Sequence, residues 1–185
     1  MFEPAQNIVV FDTEFTSWEG AMERHWSGEN EHRELIQIGA VVVDTVDFQE
    51  RNSFCVYVKP FKNPSLSEYI TSLTGITQRD VDEKGLSAQE ALMQLNQFSQ
   101  GSDLYCWGSD GDVALENASL GEFQCPIAPE RFHDIREVFI QKGIDATAYQ
   151  SSSIITAFGK ENPHDAHDAL NDARAIVLAL QQLRR

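Results

Sequence analysis

The hydrophobic positions in the N-terminal third of the chain form short runs separated by polar stretches. The runs at residues 8–11, 35–43 and 54–58 are typical of buried strands, because they are short and rich in β-branched residues. Pro60 and Pro64 supply turn chemistry after the third run. The pattern predicts three consecutive strands that pair as a meander.

The remainder of the chain alternates between helical spacing and short apolar runs. Ser87 and Glu90 form a capping-box sequence in front of apolar residues at helical spacing, which predicts a helix. We expect further helices around residues 66–73, from near residue 112 and over 166–183, and further strands at 103–107 and 132–135. This alternation predicts an α/β fold in which a mixed sheet is covered by helices.

Composition limits the class of protein. The 185 residues suit a single domain, 1–185, with a core of about 7–183, and a hydrophobic content of 42% argues against disorder. No run approaches the roughly 18 apolar residues that span a membrane, and the N-terminal residues show no export signal. The three cysteines lack Cys-x-x-Cys spacing. We therefore expect a reduced, soluble protein of the cytoplasm.

Two acidic residues follow the first apolar run. Asp12 and Glu14 are two positions apart, which turns both carboxylates to the same face of an extended strand. A charged carboxylate at the end of a buried strand needs compensation, and a divalent cation with oxygen ligands supplies it. The pair alone also fits a turn cap beside a solvated glutamate, so the metal interpretation depends on ligands elsewhere in the chain.

Two later segments offer such ligands. After the fourth predicted strand, Asp112 is the preferred candidate ligand, because apolar residues follow it as they do at the start of a helix. Asp110 is the alternative ligand, and either residue also fits an N-cap. His167 lies five positions before Asp172, so the two do not share a helical face and His167 must lie at the helix entrance. A histidine at a helix entrance suits a base that takes a proton from a metal-bound water, and His164 is the alternative candidate for that role. The alternative interpretation of the whole acidic segment is a solvated helix face.

The net charge of −15 opposes binding of a polyanion. Cations bound by four carboxylates would correct the charge of a pocket but leave most of the surface charge in place. The charge therefore favours one of three situations: a short nucleic-acid end held locally by metals, a basic partner that delivers the substrate, or an organism whose proteins are generally acidic.

The acidic motifs, taken in order, carry a specific resemblance. Asp12-Thr13-Glu14, Asp112 and His167-x4-Asp172 resemble the three exonuclease motifs of the DEDDh family, from about residue 7 to 183. The Leu-Thr-Gly-Ile segment at 73–76 is similar to one common in the Eri1-type 3'-5' exoribonucleases. The resemblance implies a ribonuclease H-like fold with a five-stranded mixed sheet, its first three strands antiparallel, and release of nucleoside 5'-monophosphates from a 3' end.

The resemblance also implies roles for the site residues, and two-metal chemistry agrees with them. Asp12 would bridge two Mg²⁺ or Mn²⁺ ions, and Glu14 and Asp172 would complete the ligand set of the ion on the side of the nucleophile. Asp112 helps to fix the site, and His167 accepts the proton of the attacking water. The candidates for contact with the terminal nucleotide are Thr13, Phe15, Trp18 and Leu73, for which ordinary core packing is the alternative.

Three functions remain open at this point. The leading one is a 3'-5' exonuclease acting on RNA or short single-stranded nucleic acid, with RNA favoured by the Eri1-type resemblance alone. A DNA-directed proofreading or repair exonuclease has the same fold, and nothing in the residues detects a 2'-hydroxyl. A catalytically silent scaffold is the third, which the complete set of five residues opposes. The aromatic segment 15–33 is a candidate cover for the terminal nucleotides or a homodimer contact.

Overall fold

A five-stranded mixed sheet is the centre of the fold in the computed structural model, which describes residues 6–183. The strands lie in the order β3-β2-β1-β4-β5. They are β1 Asn7–Phe15, β2 Leu35–Asp44, β3 Glu50–Tyr57, β4 Leu104–Cys106 and β5 Phe132–Asp134. The first three strands pair antiparallel, while β4 is parallel to β1 and β5 is parallel to β4. The predicted mixed sheet with its antiparallel meander is confirmed.

Six α-helices accompany the sheet in the described residues. They are α1 Glu68–Thr74, α2 Gln78–Lys84, α3 Ala88–Ser99, α4 Asp110–Leu120, α5 Arg136–Gln141 and α6 Ala169–Gln182. The sequence pattern missed α2 and α5, because helices of one to two turns bury too few residues for their spacing to show. Helix α6 begins at Ala169 and not at residue 166. None of the described helices is both long and apolar enough to cross a lipid bilayer.

The sheet separates two apolar cores, and the side chains of β1 alternate between them. Ile8 and Val10 pack with residues of α5 and α6, whereas Val9 and Phe11 pack with residues of α3 and α4. Because the strand has a period of two, residues 12 and 14 continue the face that Ile8 and Val10 begin. The two acidic residues of β1 therefore point toward the side of the sheet that α6 covers.

Candidate active site

The two carboxylates at the end of β1 are buried. Strand β1 continues through both residues instead of ending before them, and their partners in β2 are Gly39 for Asp12 and Gln37 for Glu14. The described structure gathers four carboxylates here with exposed fractions below a tenth: Asp12 6%, Glu14 8%, Asp110 7% and Asp172 4%. Three of the four carboxylates expected to converge, those of Asp12, Glu14 and Asp172, line one pocket together with Asp110.

The middle aspartate of this cluster is Asp110, and the preference for Asp112 is wrong. Asp110 is the first residue of α4, lines the pocket above β1, and accepts a 2.6 Å hydrogen bond from the Thr13 hydroxyl. Asp112 is exposed, two residues further along the helix, and lies outside the pocket lining. Two helical residues account for about 200° of rotation, so the carboxylates of these residues face nearly opposite directions.

The entrance of α6 brings His167 and Asp172 to the same place. The backbone N–H of His167 donates to the Asp172 carboxylate at 3.3 Å. The side chains of Glu14, His167 and Asp172 each offer a ligand atom, and these atoms lie within 4.8 Å of one another. His164, the rival base, does not line the pocket. His167 has a left-handed φ of 63°, a strained conformation that non-glycine residues rarely adopt and that recurs at functional sites.

Two residues of β2 fix the position of this entrance. The Gln37 side chain accepts from the Ala169 N–H at 2.9 Å and donates to Asp168, the N-cap of α6, at 3.0 Å. A Cβ atom at Gly39 would lie 2.1 Å from the backbone nitrogen of Leu170, so only glycine allows this approach. Since Gln37 and Gly39 pair with Glu14 and Asp12, the sheet register also sets the position of α6 against the acidic strand.

Burial shifts the pKa of every acid in the cluster upward. Desolvation raises the pKa of Asp12 well above its ordinary value and that of Glu14 to about 8, and the neighbouring carboxylates add to both shifts. Desolvation likewise raises the pKa of Asp110 to about 7, although hydrogen bonds from Thr13 oppose it. It raises the pKa of Asp172 to about 6. Repulsion of this kind is relieved by a bound cation.

The donor set fits divalent metal ions. It consists of carboxylate oxygens with one imidazole nearby, which suits the hard cations Mg²⁺ and Mn²⁺. Asp172 Oδ1 is buried and has no hydrogen-bond partner among the described residues. A buried carboxylate oxygen without a partner is costly, and coordination would satisfy it.

The pocket above the cluster has a volume of about 390 Å³. Of the four residues expected to contact substrate, three line it, namely Thr13, Phe15 and Leu73, while Trp18 does not. Trp26 of the same segment lines it instead. The pattern of aromatic residues marks this segment as important but does not indicate which ring faces the pocket, because residues 16–34 form turns without a helix or strand whose period would set directions.

Several further pocket residues gave no signal in the sequence. Arg136 is held in the lining by the Asp134 carboxylate, which accepts from its Nε at 2.9 Å and its Nη2 at 2.6 Å. The segment around Tyr149 and Ser151 also contributes to the lining. Arg33 also lines the pocket, with its guanidinium 5.9 Å from the centre of the Phe15 ring. None of these residues belongs to a motif, so only the fold reveals their proximity.

Curated relatives of this chain carry exonuclease names. The human ERI1 exoribonuclease 2 is 37% identical over 206 residues, which cover 96% of this chain and 28% of that protein. The probable 3'-5' exonuclease KapD of Bacillus subtilis is 27% identical over 90% of this chain and 79% of its own length. The 3'-5' exonuclease Snipper of Drosophila melanogaster is 32% identical over 52% of this chain. The chain spans about a third or less of Snipper and of the human protein.

Solved structures and a family model agree with the fold. The nuclease domain of 3'hExo, described as a DEDDh family member bound to rAMP, superposes with a TM-score of 0.82 at 22% identity, covering 97% of this chain and 92% of that one. Cell-death related nuclease 4 gives 0.79 at 22% identity, with coverage of 98% and 64%. These likenesses confirm the ribonuclease H-like fold. The model of the Exonuclease family (RNase_T) matches residues 9–180. The resemblance to the Eri1-type branch is thus confirmed, and the chain belongs to the Exonuclease (RNase_T) family.

Proposed function

We propose that residues 7–183 form one exonuclease domain that removes nucleoside 5'-monophosphates from the 3' end of RNA. The observation that carries this proposal is the convergence of four buried carboxylates and His167 at the end of one strand. The names of the Eri1-type relatives support RNA as the substrate. An end held by metals also suits a chain with a net charge of −15, because short-range coordination does not need a basic surface.

Asp12, Glu14, Asp110 and Asp172 would hold two divalent cations. Bound cations supply positive charge against the scissile phosphate and lower the pKa of water. Thr13 orients the Asp110 carboxylate through the 2.6 Å hydrogen bond, and the His167 N–H orients that of Asp172 at 3.3 Å. The carboxylates therefore have fixed directions before any ligand arrives, which limits the reorganisation that catalysis requires.

His167 acts as the general base. Desolvation lowers the pKa of its imidazole, so the ring is neutral near pH 7 and has a free nitrogen to accept a proton from the attacking water. Its left-handed backbone directs the ring into the pocket ahead of the α6 N-cap. The strain at this residue is consistent with a side chain held for a catalytic position.

The rest of the lining divides by chemistry. Phe15, Tyr69 and Leu73 give an apolar surface for the terminal nucleoside, and both Tyr69 and Leu73 are exposed, at 39% and 37%. Arg136 presents a guanidinium whose direction is set by Asp134, and it contacts a phosphate oxygen of the bound end.

A labelled-oligonucleotide experiment tests this function. We expect the purified chain with Mg²⁺ or Mn²⁺ to shorten a 5'-labelled single-stranded RNA one nucleotide at a time, to release nucleoside 5'-monophosphates, and to stop when a chelator is added. A DNA of the same sequence forms the second arm and measures the preference for RNA. If the wild type leaves both oligonucleotides intact with either metal, the scaffold interpretation replaces the enzymatic one.

Asp110 and Asp112 provide a matched pair of variants on one helix. Asp110→Asn should lower kcat/KM about 100-fold or more, since even the residues that support metal ligands are each worth about 10- to 100-fold. Asp112→Asn should stay within about twofold of the wild type, because its side chain is exposed and outside the pocket. Equal losses in the two variants would contradict the assignment of Asp110 as the ligand.

A further inference from the structure

A second cavity adjoins the candidate active site. Its volume is about 750 Å³, within the range of ligand sites in proteins. Its lining comes from the segment before β2, from Lys62, from the second half of α4 and from the turn that follows it: His25, Trp26, Glu31, His32, Arg33, Lys62, Glu116, Ser119, Leu120 and Glu122. Trp26 and Arg33 line both this cavity and the active-site pocket, so the two spaces share one wall.

Planar side chains in mutual contact surround the shared wall. The Arg33 guanidinium lies 5.5 Å from the centre of the Trp26 ring and 5.9 Å from that of Phe15, and the two rings meet edge to face at 5.7 Å. Arg33 also pairs with Glu116 of α4, which fixes it against the helix. Aromatic rings and guanidinium planes are the groups on which unpaired bases stack.

The segment that carries this wall is held in costly geometry. His25, Trp26 and Asn30 have left-handed φ values of 55°, 49° and 62°. The indole nitrogen of Trp26 is buried and has no hydrogen-bond partner within residues 6–183. The segment is nevertheless anchored, since the Thr16 hydroxyl donates to the His32 carbonyl at 2.6 Å. Strain and an unpaired donor in an anchored wall are typical of a surface kept for a ligand.

The charge of the second cavity differs from that of the whole chain. Glu31 is neutralised by Arg24, and Glu116 is neutralised by Arg33. Lys62 takes part in none of the ion pairs of the described residues, and its ammonium lies 5.3 Å from the centre of the Phe61 ring. Glu122 is the one lining carboxylate that takes part in no ion pair of the described residues. In a protein of charge −15, a cavity near neutrality is where a polyanion meets least repulsion.

We infer that the second cavity binds the part of the RNA strand on the 5' side of the terminal nucleotide. This inference rests on the proposed function: when the 3' end is in the active-site pocket, the rest of the strand must leave it, and the shared wall leads into the second cavity. Bases stack along the Trp26 and Arg33 wall, and Lys62 contacts a phosphate of the upstream strand.

Two substrates of different length test the inference. The p-nitrophenyl ester of uridine 5'-monophosphate has no upstream nucleotide, whereas a 12-nucleotide RNA reaches the second cavity. The measured quantity is kcat/KM for the RNA divided by kcat/KM for the p-nitrophenyl ester. Lys62→Gln should lower this ratio about fivefold, because it raises the KM of the RNA. The slope of log KM for the RNA against log salt should become shallower by about 1. Lys62→Arg should restore the ratio.

Lys160→Gln is the matched control, since Lys160 is exposed and lines neither cavity. It should change neither the ratio nor the slope. An unchanged ratio in Lys62→Gln, with the wild type active on both substrates, would overturn the inference and leave the exonuclease proposal intact. A binding measurement covers the case in which the cavity binds RNA but the chain is not an exonuclease. The fluorescence anisotropy of a fluorescein-labelled RNA is titrated with protein in chelator. Binding that depends on Lys62, in a chain that hydrolyses neither substrate, would support the cavity assignment and reject the proposed activity.

Discussion

The fold holds the two halves of the candidate site in different ways. Asp12 and Glu14 lie on β1, which pairs with β2 along its whole length and with β4 at Val9 and Val10, whereas His167 lies in an irregular segment just before α6 and Asp172 in the first turn of that helix. The strand half is fixed by sheet register. The helix half depends on how closely α6 approaches β2 at Gly39.

Each half has a different energetic cost. In the strand half the cost is electrostatic, because desolvation and neighbouring charge raise the pKa of Glu14 to about 8. In the helix half it is conformational as well, because His167 has a φ of 63°. The register of a sheet is therefore enough to position charged ligands against repulsion, while the base in a loop needs a strained backbone and close packing of α6 on β2 to reach the same point.

Gly39→Ala tests the connection between the halves and should have the largest effect. The added methyl would meet the backbone of Ala169 and Leu170 at 2.1 to 2.5 Å, so α6 must move away from β2. We expect a loss of about 3 kcal/mol in the free energy of unfolding. Because displacement of a catalytic group by about 1 Å costs on the order of 100-fold, kcat should fall at least that far. Denaturant unfolding and single-turnover kinetics measure the two effects.

Gly28→Ala is the control for this substitution. There the three atoms nearest to the added methyl belong to the side chain of Glu31, which can move aside at the cost of its contacts with Arg24 and the Gly28 N–H, whereas at Gly39 the obstacle is backbone. Its stability should stay within about 1 kcal/mol of the wild type. If Gly39→Ala retained full activity, the position of α6 would not depend on its close approach to β2 at Gly39, and the two halves would be independent.

The pH dependence of stability isolates the electrostatic cost of the strand half. Glu14 has a folded-state pKa of about 8, above its value in the unfolded chain, so the folded state retains the proton longer. Its contribution is fully present below the unfolded pKa of about 4.3 and is lost as the pH rises toward 8. In chelator, wild-type stability should therefore fall between pH 5.5 and pH 8, by about 3 kcal/mol from this residue.

Glu14→Gln should remove that part of the pH dependence, since the amide does not ionise. The exposed Asp112→Asn variant should follow the wild type. Mn²⁺ should reverse the trend in the wild type and stabilise the protein more at pH 8 than at pH 5.5, because binding requires ionised carboxylates. A wild type whose stability in chelator does not fall with pH would contradict the burial of charge in the strand half.

The sequence predicted the strand half well and the helix half only in outline. The apolar run before Asp12 predicts a strand, and its period of two predicts that Glu14 shares a face with that residue. Both follow from local pattern, as do the five strands of the sheet. His167 was expected at a helix entrance, but its left-handed backbone has no sequence signal, because glycine or asparagine would be the usual residue there.

The middle aspartate shows why local pattern fails where an element begins. Apolar residues after Asp112 favoured that residue as the start of α4, yet the helix begins at Asp110. What decides between them is the hydrogen bond from Thr13, a residue 97 positions away in sequence. Gln37 and Gly39 were likewise visible only as interruptions of an apolar strand, and their partners in α6 are brought to them by the tertiary fold alone.

His167→Gly compared with His167→Ala measures the conformational cost of the helix half, the smallest of these effects. Both variants lack the imidazole, so both should lose most of kcat. Glycine adopts a φ of 63° without strain while alanine does not, so the glycine variant should be more stable by about 1 kcal/mol, after allowance for its freer unfolded chain. Ala166→Gly is the control, and its effect on the free energy of unfolding should have the opposite sign. Ala166 is not among the residues with left-handed φ, so glycine at this position should destabilise the protein. Equal stability of the two His167 variants, measured by urea unfolding in chelator, would mean that the helix half carries no backbone strain and that the energetic cost of the site lies in its carboxylates.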